Sequence, residues 1–271
     1  MTKSTYALVT GAAGGIGLEV ARRLAARGHR VLAVERDREL AAEAARQIGP
    51  TAEPVACDLA DDAAVAALAD RIEHEWGPDL EICFLNAGII IPGDVVETSP
   101  RAIDLQLRVM LTSAIALARA AARALRARGS GHIVATVSQG AVLALPGSAT
   151  YTAAKAGLRG FLAALHLELR ATGVRVSGVY PSAVDTPMLR HEAENGGSVL
   201  NFVGKLSTVA EVADGVDTAM RTGRVEVFVP FSDGVLVRLL QAVPRIVPVL
   251  LPALQRVGER GRLRYLARPA G

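Results

Sequence analysis

Tyr151 and Lys155 stand four residues apart in an alanine-rich stretch, and Ser138 precedes the tyrosine by thirteen residues. Positions i and i+4 share a helix face, so the Lys155 ammonium lies close to the Tyr151 phenol. A phenol titrates at about 10, too high for an efficient base at neutral pH, and a neighbouring positive charge stabilises the phenolate. A tyrosine so placed takes the proton of a hydroxyl, or returns one to a carbonyl oxygen. Ser138 follows an apolar run that reads as a strand, where it would hydrogen-bond the substrate oxygen and stabilise its developing charge. Taken alone, the same spacing describes a half-buried tyrosine with a lysine stem laid beside it.

A second group of residues points to what the proton transfer accompanies. Residues 9–17 read Val-Thr-Gly-Ala-Ala-Gly-Gly-Ile-Gly, between a first strand and a first helix. Gly11 permits the tight turn, and Gly15 and Gly17 allow backbone to approach a pyrophosphate and helix to approach sheet. Gly14 and Ile16 complete the turn, and the helix beginning near Ile16 directs its N–H groups and positive dipole end at the phosphates. Glu35 closes the second strand eighteen residues after Gly17, where a carboxylate takes the adenosine ribose hydroxyls of NAD. Glu35 would repel a 2′-phosphate and position 14 is not basic, so NAD is favoured over NADP. Arg36, able to stack on adenine or pair with a phosphate, is the opposing feature.

These groups need a scaffold, and the chain supplies one by alternation. Strand-like runs at Tyr6–Thr10, Arg30–Glu35, Pro54–Cys57, Leu80–Leu85, His132–Val137, Val174–Tyr180 and Val225–Val229 alternate with helical stretches. The helical stretches are Ile16–Arg27, Arg38–Ile48, Ala63–His74, Ile103–Arg128, Thr152–Thr172 and Val209–Thr222. Strands that are apolar nearly throughout are buried on both faces, as in a parallel sheet flanked by helices. The expectation is an α/β fold, a single Rossmann-type doubly wound domain with a seven-stranded parallel sheet, over residues 1–234. Residues 188–208 form a long connection after a strand's carboxyl end and read as a substrate lid. Beyond 234, Pro244, Pro248 and Pro252 make a continuous helix through 238–257 unfavourable, and short helices each starting near a proline are expected.

In the order and spacing of Thr10-Gly11-Ala12-Ala13-Gly14-Gly15-Ile16-Gly17, Asn86-Ala87-Gly88, Ser138 and Tyr151 with Lys155, the chain resembles the short-chain dehydrogenase/reductase family. The resemblance covers residues 6 to about 230 and implies an oxidoreductase acting on CH–OH groups with NAD or NADP. It implies that Lys155 also bonds the nicotinamide ribose and that Tyr151 belongs to the cofactor site. It further implies that Asp58 and Leu59 contact adenine, that Asn86, Ala87 and Gly88 turn beside the cofactor, and that Pro181, Val184 and Thr186 meet the carboxamide. Read without it, Asp58 is a helix cap. In relatives the helix over Ile103–Arg128 pairs with the one carrying Tyr151, which implies a homodimer or homotetramer; the same apolar stripe packs on the sheet in a monomer.

Three positions depart from the family pattern. Met110 stands where an asparagine holds a relay water between the lysine and solvent, and a thioether serves poorly there. Leu85 replaces the first asparagine of Asn-Asn-Ala-Gly, and Ser182 replaces a glycine after Pro181. Met110 leaves two readings: an enzyme whose proton takes another route, or a binding protein that kept the cofactor site after its chemistry faded.

The apolar lid residues Met188, Leu189, Val199, Leu200, Phe202 and Val203 favour a hydrophobic alcohol or ketone, unless they pack on the lid's own domain. Composition narrows the classes further. Of 271 residues, 51% are hydrophobic and 21% charged, which excludes a disordered chain. Cys57 and Cys83 lie in apolar runs and read as reduced cysteines of a cytoplasmic protein; Met1–Thr5 leads straight into a strand, leaving no room for a signal peptide. No metal site is expected. A net charge of +3 argues against a nucleic-acid binder. That charge is uneven: residues 235–271 hold seven arginines against Glu259, leaving residues 1–234 at three negative charges. The basic segment reads either as a peripheral membrane contact or as a tail docked on the parent domain with its arginines solvated.

Overall fold

The computed structural model describes residues 4–268. Seven parallel strands form one sheet in the order β3-β2-β1-β4-β5-β6-β7. They are β1 (Tyr6–Thr10), β2 (Arg30–Glu35), β3 (Ala52–Ala56), β4 (Leu80–Leu85), β5 (Gly131–Thr136), β6 (Val174–Pro181) and β7 (Glu226–Val229). The expected fold class is the observed one. Along β1, Leu8 enters one hydrophobic cluster while Ala7 and Val9 enter the other, so alternating side chains are buried on both faces. That is why the strands read as unbroken apolar runs. Pro54, which cannot donate to a ladder, lies in β3 at the sheet's edge.

One face is covered by α3 (Asp62–His74), α5 (Ser113–Arg128) and α6 (Ala149–Leu169). The other is covered by α1 (Gly15–Ala26), α2 (Arg38–Ile48) and α8 (Val209–Thr222). The stretch expected as one helix over Ile103–Arg128 starts earlier, with α4 (Pro100–Leu107), and enters α5 through a π-helical turn at Arg108–Thr112. The Ser113 hydroxyl donates to the Val109 carbonyl within that wide turn at 2.9 Å.

The segment expected to be a lid is largely helical: α7 (Pro187–Glu194) is followed by a 3-10 turn at Val199–Phe202. The C-terminal segment meets the sequence expectation in part: no helix runs unbroken through 238–257, but the prolines interrupt the segment once and not at each. It forms α9 (Phe231–Ala242) and then one long helix, α10 (Ile246–Leu266), which runs through Pro252. The chain breaks only around Pro244. Pro248 falls in the first turn of α10, where its missing N–H costs nothing, so Pro252 alone removes an internal bond. Contacts of α10 with the lid compensate for that loss. The expected boundary between 234 and 235 falls inside α9, where a side chain added at Gly234 would meet Phe228 at 2.3 Å.

Candidate active site

All the strands point their carboxyl ends to one edge, and the residues expected to do chemistry collect there. The turn after β1 is set by glycine. Gly11 and Gly15 adopt positive φ angles of 67° and 51°. A Cβ on Gly17 would lie 1.8 Å from the Gly11 carbonyl oxygen, so no other residue fits. Gly14 is the N-cap of α1 and has no heavy atom within 4 Å of its Cβ position, which leaves the turn open on that side.

Asn86 fastens this turn to the sheet. Its amide nitrogen donates to the carbonyls of Thr10 and Gly11 at 3.3 and 3.2 Å, and its Oδ1 accepts from the Thr136 hydroxyl at 2.9 Å. The Thr10 hydroxyl in turn accepts the backbone N–H groups of Asn86 and Ala87 at 2.9 and 3.1 Å. One side chain thus ties β1, β4 and β5. Glu35 reaches the same turn, its carboxylate accepting the Ala13 N–H at 2.7 Å. Arg36 beside it is largely solvated. The Asp58 carboxylate accepts the Ala60 N–H at 2.9 Å in the turn before α3, whose cap is Asp61 rather than Asp58, and Leu59 lies half-buried next to it.

Pro181 ends β6, and the chain returns toward the turn. A Cβ on Gly15 would lie 3.6 Å from Thr186 Cγ2, and the Thr186 hydroxyl donates to the Val184 carbonyl and caps α7. Ser182 takes no left-handed conformation: among the described residues no non-glycine has positive φ. Its N–H donates to Val229 O at 2.8 Å.

Ser138, Tyr151 and Lys155 converge from β5 and α6. A Cβ on Gly140 would lie 3.3 Å from Ser138 Oγ and 3.7 Å from Tyr151 Cε1, with Leu145 Cδ1 at 3.3 Å on the same point. Lys155 Nζ lies 5.9 Å from the Tyr151 ring centroid and donates to Thr136 O at 2.8 Å. Lys155 is 4% exposed, and burial holds its pKa down at about 8. Burial pushes the Tyr151 phenol up to about 12; the Ser138 hydroxyl opposes this and the Glu192 carboxylate adds to it. Gly88 faces both Met110 Sδ and Lys155 Nζ, at 3.8 and 3.9 Å from its Cβ position. The Met110 thioether, 1% exposed, therefore lines the same small space beside Gly88 as the lysine.

Two groups escaped the sequence reading. Glu192 is buried on α7 and accepts from Asn201 Nδ2 at 2.8 Å, from Ser148 Oγ at 3.3 Å and from the Ser198 backbone. It joins both halves of the lid to the start of the helix bearing Tyr151, and burial raises its pKa. Tyr265 of α10 donates to Asp185 Oδ1 at 2.8 Å, beside the 181–186 segment. No local pattern marks either one. A glutamate among lid charges and a tyrosine among arginines look like solvated side chains.

The lid's apolar residues divide. Leu189 and Phe202 pack with Ala193 and Tyr265 beneath α10, while Met188 and Val203 are exposed. The first two are thus buried, but against the C-terminal helix as well as against Ala183 and Leu206 of the lid's own domain. No group of three or more His, Cys, Asp or Glu side chains that could hold a metal ion occurs among the described residues.

A glycine cradle at a helix N-terminus, a carboxylate closing the next strand and a tyrosine–lysine pair at the carboxyl edge of a parallel sheet define a Rossmann-type, dinucleotide-dependent oxidoreductase. The cradle, closed to any side chain at Gly17 and open at Gly14, fits such a dinucleotide. The family model described as short chain dehydrogenase matches residues 5–197, and the chain belongs to the short-chain dehydrogenase/reductase family, whose members act on CH–OH groups with NAD or NADP.

The chain is 36% identical over 193 residues to the D-threitol dehydrogenase of Mycolicibacterium smegmatis, covering 70% of this chain and 74% of that protein. It is similar to the 3-ketoacyl-(acyl-carrier-protein) reductase of Brucella melitensis, solved with NADH, at TM-score 0.74 and 26% identity over 84% of this chain and 98% of the other. A short-chain dehydrogenase from Sphingobium yanoikuyae, solved with NADPH, superposes at TM-score 0.76 and 26% identity over 90% and 95%.

Proposed function

We propose that the chain interconverts a hydrophobic secondary alcohol and its ketone, with NAD as the preferred dinucleotide. The observation that carries this reading is the convergence of Ser138, Tyr151 and Lys155 beside the glycine cradle. When bound, a nicotinamide dinucleotide supplies the hydride acceptor or donor. The protein's own groups handle the oxygen. Ser138 Oγ hydrogen-bonds it, and Tyr151 Oη takes its proton in oxidation or returns one in reduction. Lys155 would meet the nicotinamide ribose, and its ammonium, one turn along α6, would favour the phenolate once the dinucleotide is bound.

The dinucleotide would lie on Gly11, Gly14, Gly15, Ile16 and Gly17, with Glu35 on the adenosine ribose. Arg36, Asp58 and Leu59 flank the adenine end, and Asn86, Ala87, Gly88, Pro181, Val184 and Thr186 the nicotinamide end. Glu35 supports NAD, because a 2′-phosphate would meet its carboxylate. Leu145 beside Ser138 and Tyr151 and the exposed Met188 and Val203 support an apolar substrate. The exposed Leu105 of α4 and Leu167 of α6 support a homodimer or homotetramer through those helices, and the buried cysteines suit a reducing cytoplasm.

The intact trio weighs against a binding protein that lost its chemistry, despite Met110. The test is turnover of a panel of lipophilic secondary alcohols with each dinucleotide. Turnover with NAD, reduced by about 100-fold or more in Tyr151→Phe while NAD binding persists, is expected. NAD binding without turnover across the panel would establish the binding-protein reading instead.

A further inference from the structure

Residues 234–258 contain no acid, and most of their large apolar side chains face outward. In α9, Phe231, Val235 and Leu239 recur every four residues, followed by Val243 just past its end; the first and third are 70% and 63% exposed. The opposite face of α9, Gly234 and Val237, is the one packed on the fold. In α10, Ile246, Val249, Leu250 and Val257 form a second exposed stripe at helical spacing, with Val249 75% exposed, and Arg260 and Arg264 continue it.

This stretch is held at both ends and bare between them. Its far end is clamped on the lid, where a Cβ on Gly258 or Gly261 would lie 2.2 Å from the carbonyl oxygens of Val199 and Phe202. Arg262 donates to Ala193 O at 2.8 Å. The clamp fixes how the two stripes are presented.

The charge pattern selects the occupant. Arg238 is paired with Glu226, and Arg262 with Glu259. Arg245, Arg256, Arg260 and Arg264 are exposed and face no carboxylate at ion-pair distance among the described residues. A second copy of the chain set face to face on this surface would add its own unpaired arginines to these, and residues 234–258 hold no acid to neutralise either set. A surface both apolar within and negative at its boundary satisfies both sets of side chains.

We propose that α9 and the first half of α10 form a docking edge for an anionic lipid surface, the apolar stripes entering the acyl boundary and the unpaired arginines meeting the headgroups. The full-length protein should sediment with vesicles of three parts phosphatidylcholine to one part phosphatidylglycerol, and not with phosphatidylcholine alone. Leu239→Glu with Val249→Glu should reduce the partition coefficient by roughly tenfold or more. Arg245→Ser with Arg256→Ser and Arg260→Ser should reduce it and abolish its salt dependence. Neither variant touches the catalytic edge, so turnover in solution should be unchanged.

Absence of wild-type sedimentation with the anionic vesicles would overturn the proposal. So would equal binding to both vesicle types, or equal partition of wild type and the Leu239/Val249 variant. If that variant instead lowers the molar mass by light scattering and leaves sedimentation unaltered, the surface is an interface between copies.

Discussion

Lys155→Met removes a buried ammonium and keeps an apolar stem of similar length. Lys155 titrates at about 8 in the folded protein against an ordinary 10.5, because burial disfavours its charged form. Below pH 8 both the folded and unfolded chains hold this proton, and the folded chain bears the full cost of the buried charge. Between the two values the unfolded chain holds more protons, so wild-type stability rises with pH relative to the methionine variant. The cost is gone above the unfolded value. Integrating over the two titrations, the wild-type protein should gain about 2 kcal/mol on the variant from about pH 7 to about pH 9.5. The bond from Nζ to Thr136 O is lost in the variant, which leaves a carbonyl without its donor. That contribution is the same at every pH, and groups common to both proteins cancel, so the pH dependence of the difference isolates the ammonium. The assay is urea unfolding of both proteins without dinucleotide at several pH values. A gap that stays constant, or that moves the other way, would refute the assignment of a burial-depressed lysine beside Tyr151.

Glu35→Ala should lower kcat/KM with NAD and raise it with NADP, shifting their ratio by about tenfold or more. An unmoved ratio would remove Glu35 from cofactor choice. Glu192→Gln keeps a side-chain oxygen to accept from Asn201 and Ser148 while deleting the negative charge that raises the Tyr151 pKa. The alkaline rise of kcat/KM for alcohol oxidation should therefore move to lower pH with KM little changed. A coincident pH profile would show that the carboxylate does not act on the phenol. Tyr265→Phe leaves Asp185 without the phenol's hydrogen bond and should cost about 1 kcal/mol. Calorimetry should then show a Tm lower by about 2–4 °C for a chain of this size. An unchanged Tm would mean that α10 is not fastened there.

The sheet, its parallel sense and the glycine turn were legible because each depends on neighbours in sequence. Leu8 flanked by Ala7 and Val9 is apolar throughout only when both faces are covered, and Gly17 is demanded by a carbonyl six residues away. The closeness of Ser138, Tyr151 and Lys155 was legible for the same reason, as two sit on one helix and the third follows the strand beside it. Glu192 was not, because its partners are Ser148 and the far side of the lid. Tyr265 was not, because Asp185 lies eighty residues before it. The continuity of α10 was misjudged from its prolines alone. Local propensity counts the bond that Pro252 removes but not the backbone contacts that Gly258 and Gly261 permit with Val199 and Phe202.

Those two glycines bear on how fast the protein lets go of what it holds. A lid anchored only at its hinges orders when substrate arrives, and part of the binding free energy is lost in that ordering. Here the 3-10 turn is already pressed against α10, and Arg190 and Arg262 tie α7 to the same helix. The entropy of ordering is met during folding rather than at each encounter. Opening would instead have to peel a helix from the turn, so one and the same motion would gate both capture of substrate and departure of product.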